Sequence, residues 1–343
     1  MKSSENVHID NILKRLEKNN FDAMFLANFN NIRYLTGYLS TSFAFLIIKE
    51  NPIVYVSAMD MEIASKTSSC QIKKFESFNS LVDDLKEENI KKLAIEEDLT
   101  AGIYKKLDDF TLEISDFVNL ERMIKSKDEI SKMETAVNIA HKSLIELDVR
   151  AKQEDSWEEW ACSYELGRIM RENGAEIESF DTIFASGADT SLPHSVPSHK
   201  VLETPILVDY GCKFEGYCSD TTRTFIYTEK QEEISSIVLE AHDKAINAIK
   251  EGVQYSEIDK IARDIITEYG YGDNFIHSTG HNLGLDIHES PNASIRDQNI
   301  IEKNMVFTIE PGIYLEGEFG VRIEDMVFVD KKGIVMGDLP VYL

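Results

Sequence analysis

In residues 9–19, apolar Ile9, Ile12, Leu13 and Leu16 recur every three or four positions, which predicts an amphipathic helix. Residues 22–26 and 43–48 are short apolar runs that predict strands, and Asn51-Pro52 predicts a turn into a third at 53–56. Helix and strand patterns alternate to about Asn119, as expected of a small α/β domain. The pattern then changes. Over 125–147, Ile130, Met133, Ala136, Val137, Ala140, Leu144 and Leu147 form one face of a long helix. A second helix is predicted over 157–172, ended by Asn173-Gly174, and two more near 233–250 and 255–269, with short strands between them. The expected division is a domain over 1–122 and a larger one over 123–343, without internal repeat or low-complexity linker.

Composition narrows the function. At 343 residues, 43% hydrophobic and 28% charged, the chain can bury two ordinary globular cores. Its 36 basic and 61 acidic residues leave a net charge of −25, which opposes binding to nucleic acid or to an anionic membrane. There is no run of 18 apolar residues, and Met1-Lys2-Ser3-Ser4-Glu5-Asn6 opens without an apolar leader, so a cytoplasmic protein is expected. Cys70, Cys162, Cys212 and Cys218 lack Cys-x-x-Cys spacing and are expected as four free, buried thiols.

The candidate chemistry lies after residue 200. Asp209 ends the apolar run Pro205-Ile206-Leu207-Val208, and Asp220 follows eleven residues later with Gly211 and Gly216 between them. Two antiparallel strands reversing there would bring both acids together; a buried Asp220–Arg223 ion pair is the alternative reading. Glu310 ends Met305-Val306-Phe307-Thr308-Ile309 at a Pro-Gly turn, and Glu324 lies in Gly320-Val321-Arg322-Ile323-Glu324-Asp325, so a second acidic hairpin is expected around Gly317 and Gly320. A carboxylate buried in such a strand must be paired or metal-bound. His277, His281 and His288 fall within twelve residues, and His194 lies in a loop upstream; each suits a structural hydrogen bond, a metal or a substrate oxygen. Four carboxylates and one imidazole (Asp209, Asp220, His281, Glu310 and Glu324) exceed one ion's needs and suit two hard or borderline divalent ions. Such a pair is the equipment of a hydrolase.

These motifs resemble the superfamily of creatinase, prolidase, aminopeptidase P and methionine aminopeptidase. Asn31-Ile32-Arg33-Tyr34-Leu35-Thr36-Gly37-Tyr38 is similar to the family's N-terminal domain, and the order Asp, Asp, His, Glu, Glu to its ligand set. The resemblance implies an α+β fold, with a C-terminal pita-bread domain preceded by a smaller α/β creatinase-type N-terminal domain. It implies two divalent ions per subunit, Mn or Co with Zn or Fe as alternatives. Asp209 would hold one ion, His281 and Glu310 the other, and Asp220 and Glu324 would bridge. His194 and His288 match catalytic positions that contact the scissile amide, while His277, Arg296 and Arg322 are substrate-binding candidates. Arg296 would grip a dipeptide's carboxylate; the alternative is an exposed loop arginine beside Asp297. The chain departs from the family at Asn282, where Gly is commoner, and at Glu203-Thr204-Pro205 before the first ligand strand.

The implied activity is hydrolysis of Xaa-Pro bonds in proline-containing dipeptides by a homodimer. The alternatives are an aminopeptidase P acting on longer peptides and a non-catalytic peptide-binding module. Creatinase proper lacks the ligands, and methionine aminopeptidases lack so large an N-terminal domain.

Overall fold

The computed structural model describes residues 6–342, which form two compact units, up to Arg122 and from Met123 onward. The apolar-poor opening Met1–Glu5 lies outside the described residues.

The first unit is a three-layer α/β arrangement. Its strands are β1 (Ala23–Leu26), β2 (Ala44–Ile48), β3 (Ile53–Val56), β4 (Gln71–Lys74), β5 (Lys92–Ile95) and β6 (Thr111–Ile114), in sheet order β4-β3-β2-β1-β5-β6. β1, β5 and β6 run parallel, while β2 is antiparallel to β1 and β3. The continuous apolar runs of β1, β2 and β3 reflect burial on both faces. Met24, Leu26, Leu46, Ile48, Val54 and Val56 face one core, which contains Ile12 and Leu16 of α1 (Val7–Lys18) and Ile32 and Leu35 of α2 (Phe29–Thr36). Phe25, Phe45, Ile47 and Tyr55 face the other, against Leu81 and Leu85 of α4 (Phe78–Glu87), which follows α3 (Met61–Thr67). α5 (Ala101–Tyr104) and α6 (Phe117–Met123) complete the helices of this segment.

The second unit begins with α7 (Lys127–Leu147), two residues later than its apolar face suggests. Ser126 caps it by accepting from Glu129 N, while the Glu129 carboxylate accepts from Ser126 N. α8 (Val149–Glu154) and α9 (Glu159–Glu172) follow; farther on lie α10 (Glu229–Ala248), started by a Thr228–Gln231 capping box, and α11 (Tyr255–Glu268). The strands are β7 (Ile177–Glu178), β8 (Ile183–Ser186), β9 (Ile206–Tyr210), β10 (Cys212–Phe214), β11 (Tyr217–Cys218), β12 (Thr221–Phe225), β13 (Gly280–Asn282), β14 (Glu289–Ala293), β15 (Val306–Ile309), β16 (Gly312–Leu315), β17 (Phe319–Arg322), β18 (Asp325–Val329) and β19 (Gly333–Val335).

Both acidic hairpins are present, and each is broken into two ladders. β9 pairs with β12, and β10 with β11; β15 pairs with β18, and β16 with β17. The first reverses at Glu215-Gly216, whose φ angles are 47° and 84°. Gly211 lies instead at the break, where a Cβ would stand 1.9 Å from Ser219 O; no other residue fits there. Each hairpin leans on its own helix pair. Ile206, Val208, Tyr210 and Phe225 share a core with α7 and α9, and Phe307, Ile309, Ile313, Val321 and Ile323 share one with α10 and α11.

The four cysteines are unpaired; Cys162, Cys212 and Cys218 are buried, whereas Cys70 is only partly so, contrary to the expectation of four buried thiols. Among the described residues, no helix is long and apolar enough to cross a membrane.

Candidate metal centre

Strand alternation sets the ligands. Because Ile206, Val208 and Tyr210 point to the helices, Asp209 points to the opposite face, directly across from Thr222. Phe307 and Ile309 likewise pack on α10 and α11, so Thr308 and Glu310 take the other face; Val321 and Ile323 do the same for Arg322 and Glu324. Asp220, Glu310 and Glu324 fall just outside the ladders, at the breaks. One bridge joins the hairpins, Glu324 N donating to Thr222 O at 3.2 Å. β13 adds His281, whose amide donates to Thr308 Oγ1 at 3.1 Å.

These side chains line one cavity of about 600 Å³ together with His194, His277, His288 and Arg322. Donor atoms of Asp220, His281 and Glu324 all lie within 4.8 Å of one another. His281 Nε2 is 3.4 Å from Asp220 Oδ2 and 3.6 Å from Glu310 Oε1. Its Nδ1 faces Asn282 O at 3.1 Å, a carbonyl that can only accept, so Nδ1 donates there and Nε2 is the nitrogen turned to the acids.

The electrostatics are those of a cation site. Burial, with Asp209 and Glu310 nearby, holds Asp220 well above the usual carboxylate range. Burial and Asp220 do the same to Glu324. Asp209 is also raised by burial, although Arg322 pulls it down. Among the described residues, Arg322 is the one lysine or arginine in direct contact, its Nη2 lying 2.6 Å from Asp209 Oδ2. Asp209 Oδ1 is buried without a hydrogen-bond partner among the described residues. Four crowded carboxylates with one guanidinium and an orphaned oxygen fit divalent metal, which would supply the missing positive charge.

The remaining candidates separate. His288 stacks edge-on against His281, with ring centroids 4.5 Å apart, and burial followed by His281 lowers its pKa. His194 is exposed at the cavity wall. Its loop is held by a residue the sequence did not single out. Buried Glu159 accepts from Ser186 N (2.9 Å) and Oγ (2.7 Å) through one oxygen, and from Ser198 N (3.1 Å) and Oγ (2.8 Å) through the other.

His277 Nε2 lies 2.9 Å from Tyr314 Oη, and burial lowers its pKa. Tyr314 also accepts from Arg322 Nη1 at 2.8 Å, and burial pushes its hydroxyl up to about 12. Arg322, expected at the substrate, is buried and donates to Asp209, Tyr314 and, through Nε, Thr222 Oγ1 at 3.0 Å. It also lines the cavity. Arg296 is exposed on the loop after β14 and does not line the cavity. Arg223 turns from Asp220 to Asp325 Oδ1 at 2.7 Å, which removes the alternative ion pair. Tyr314, Thr222 and Glu159 carry no sequence signal of a place at the site.

A buried acid–histidine centre between two hairpins, each backed by helices, defines a metallopeptidase. The model for metallopeptidase family M24 matches residues 131–331, and that for the creatinase/prolidase N-terminal domain matches residues 8–130. The chain belongs to family M24. An Xaa-Pro dipeptidase of Pyrococcus horikoshii is 37% identical over 340 residues, covering 96% of this chain and 95% of that one. Among solved structures, an Xaa-Pro dipeptidase from Bacillus anthracis superposes with a TM-score of 0.93 at 35% identity, covering 98% of each chain. An X-Pro aminopeptidase from Thermotoga maritima superposes with a TM-score of 0.88 at 31% identity, also covering 98% of each.

Proposed function

We propose that this enzyme hydrolyses Xaa-Pro bonds as a dipeptidase, using two divalent ions, Mn or Co with Zn or Fe as alternatives. The observation that carries this reading is that Asp209, Asp220, His281, Glu310 and Glu324 line one cavity, with donor atoms of Asp220 and Glu324 within 4.8 Å of that of His281 and Glu310 Oε1 3.6 Å from its Nε2. Asp209, Asp220, His281, Glu310 and Glu324 would hold the two ions. Bound there, the ions supply Lewis acidity and lower the pKa of a water towards neutrality.

The protein's own groups do the rest. His288 and His194 face the cavity and donate from their rings to the scissile amide as negative charge develops on its oxygen. Arg322 holds Asp209 by a charge-assisted contact, and Thr222 holds Glu324 through a 2.7 Å bond from Oγ1 to Oε2. Tyr314 orients His277 for substrate contact. Water oxygen bonds to the carbonyl carbon, the C–N bond to proline breaks, and a proton from that water ends on the proline nitrogen.

Arg296 is the proposed grip for the dipeptide's free carboxylate, because its loop continues from β14, whose Asn292 lines the cavity. Arg296→Ala should lower kcat/KM for Xaa-Pro by roughly ten- to a hundredfold, as loss of ~1.5–3 kcal/mol implies, and spare longer peptides. Equal losses on both would make Arg296 structural. A cytoplasmic setting suits the four unpaired thiols. A homodimer follows from the resemblance to prolidases; a ~39 kDa species with full activity in sedimentation would remove it.

The decisive assay compares Xaa-Pro with Xaa-Pro-Yaa after adding Mn²⁺ or Co²⁺. Preference for the longer peptide moves the reading to an aminopeptidase, which the Thermotoga maritima relative favours. Turnover of neither, with no stoichiometric metal, leaves a peptide-binding module.

A further inference from the structure

Asn282 follows the histidine ligand and departs from the family pattern, and its contacts set it apart from the rest of the site. It ends β13, where the register against β14 shifts: His281 pairs with Asn292 and Asn282 with Glu289, leaving Ser290 and Pro291 bulged between them. The bulge interrupts the pairing with β14 at this point, while Asn282 keeps its pairing with Phe307 of β15 on the other side. The Asn282 side chain, fully buried, spans this gap. Its Nδ2 donates to Pro291 O at 2.8 Å, across the bulge, and to Tyr255 Oη of α11 at 2.7 Å. Pro291 O can only accept, so the amide nitrogen must face it. Tyr255 in turn donates to Met305 Sδ at 3.4 Å, which leaves its oxygen as the acceptor for Asn282. Among the described residues nothing donates to Asn282 Oδ1, so burying this amide costs part of what its two donations gain.

The clamped peptide carries the carbonyl that accepts the Nδ1 proton of His281 at 3.1 Å. We propose that Asn282 is a positioning residue for the metal centre: by locking its own peptide to Pro291 and Tyr255, it holds His281 as the Nδ1-protonated tautomer with Nε2 free to bind metal. This rests on the reading of His281 as a ligand and adds a residue that acts through it. Outer partners of this kind set the tautomer and ring orientation of a metal-binding histidine, and losing one typically weakens metal affinity by about ten- to a hundredfold.

The test uses the full chain with Asn282→Gly, Asn282→Leu and, as a control, His281→Ala. Co²⁺ affinity is titrated, and imidazole nitrogen resonances of the metal-free protein report where the His281 proton sits. The expected result is a fall of about tenfold in Co²⁺ affinity in both Asn282 variants. The proton, confined to Nδ1 in the parent, spreads over both nitrogens. Either variant, folded, with parent affinity and an Nδ1-only proton overturns the proposal. So does unfolding of both, since the amide would then belong to the fold and not to the metal site. If His281→Ala keeps its Co²⁺, the ligand assignment itself has failed, which is a separate outcome.

Discussion

The hairpin over 206–225 and the one over 306–329 follow one plan but are charged differently. Each is a long hairpin broken in the middle, backed by two helices, with acids turned from those helices towards one cavity. Each also carries an arginine that reaches the other. Arg223 of the first donates to Glu324 O (2.7 Å) and Asp325 Oδ1 of the second, and Arg322 of the second donates to Asp209 of the first. The difference is in their surroundings. Arg223 is sealed among Thr222 O, Leu339 O and Pro340 O, whereas Arg322 lies at the cavity beside Tyr314. One cross-contact lies within the fold and the other at the proposed metal site. Neither hairpin is a half-site by itself, because each supplies the counter-charge for the other's acids.

The comparison breaks hardest at Asp220. Asp220→Asn removes a carboxylate proposed to bridge both ions and should abolish most turnover while releasing at least one ion. Two ions by elemental analysis together with near-normal activity would take Asp220 out of the ligand set. His288→Ala tests a group outside both hairpins. Turnover should drop on the order of a hundredfold with metal content unchanged, as for loss of one donor to developing charge; loss of metal would make His288 a ligand.

The arginines should then part company. Arg223→Met leaves Asp325 buried with only His242 Nε2 at 3.2 Å, and thermal or denaturant unfolding should show a loss of about 3–5 kcal/mol. Arg322→Met should instead show its main effect in metal affinity, with the smaller stability change. Similar unfolding curves for the two variants would erase the distinction. The smallest effect is expected of Thr222→Val, which strips the hydroxyl shared by Glu324 Oε2 and Arg322 Nε. About 1–3 kcal/mol of stability should be lost in the same unfolding assay. No measurable change would mean that the Thr222 hydroxyl adds nothing to the other contacts that join the hairpins.

Much of this was legible one residue at a time. Apolar runs ending at Asp209 and Glu310 marked strands with an acid at the end, and the order of five ligands marked the chemistry. Even the rejected Asp220–Arg223 pair was open to the rule of alternation, since extended residues three apart face opposite ways. The breaks were not legible, because the one at Gly211 depends on Ser219 O approaching from the returning strand. Nor was Glu159, whose role exists only because Ser186 and Ser198, twelve residues apart, meet at its carboxylate.

The sequence by itself determined which residues could bind metal and which face of each strand they would share, because strand alternation and the shielding of apolar side chains act locally. Only the tertiary structure decided which cation met which acid, and that Arg322 would engage Asp209 while Arg296 stayed exposed. Those outcomes depend on distances between segments about a hundred residues apart, and electrostatic and hydrogen-bond energies are set by such distances and by burial.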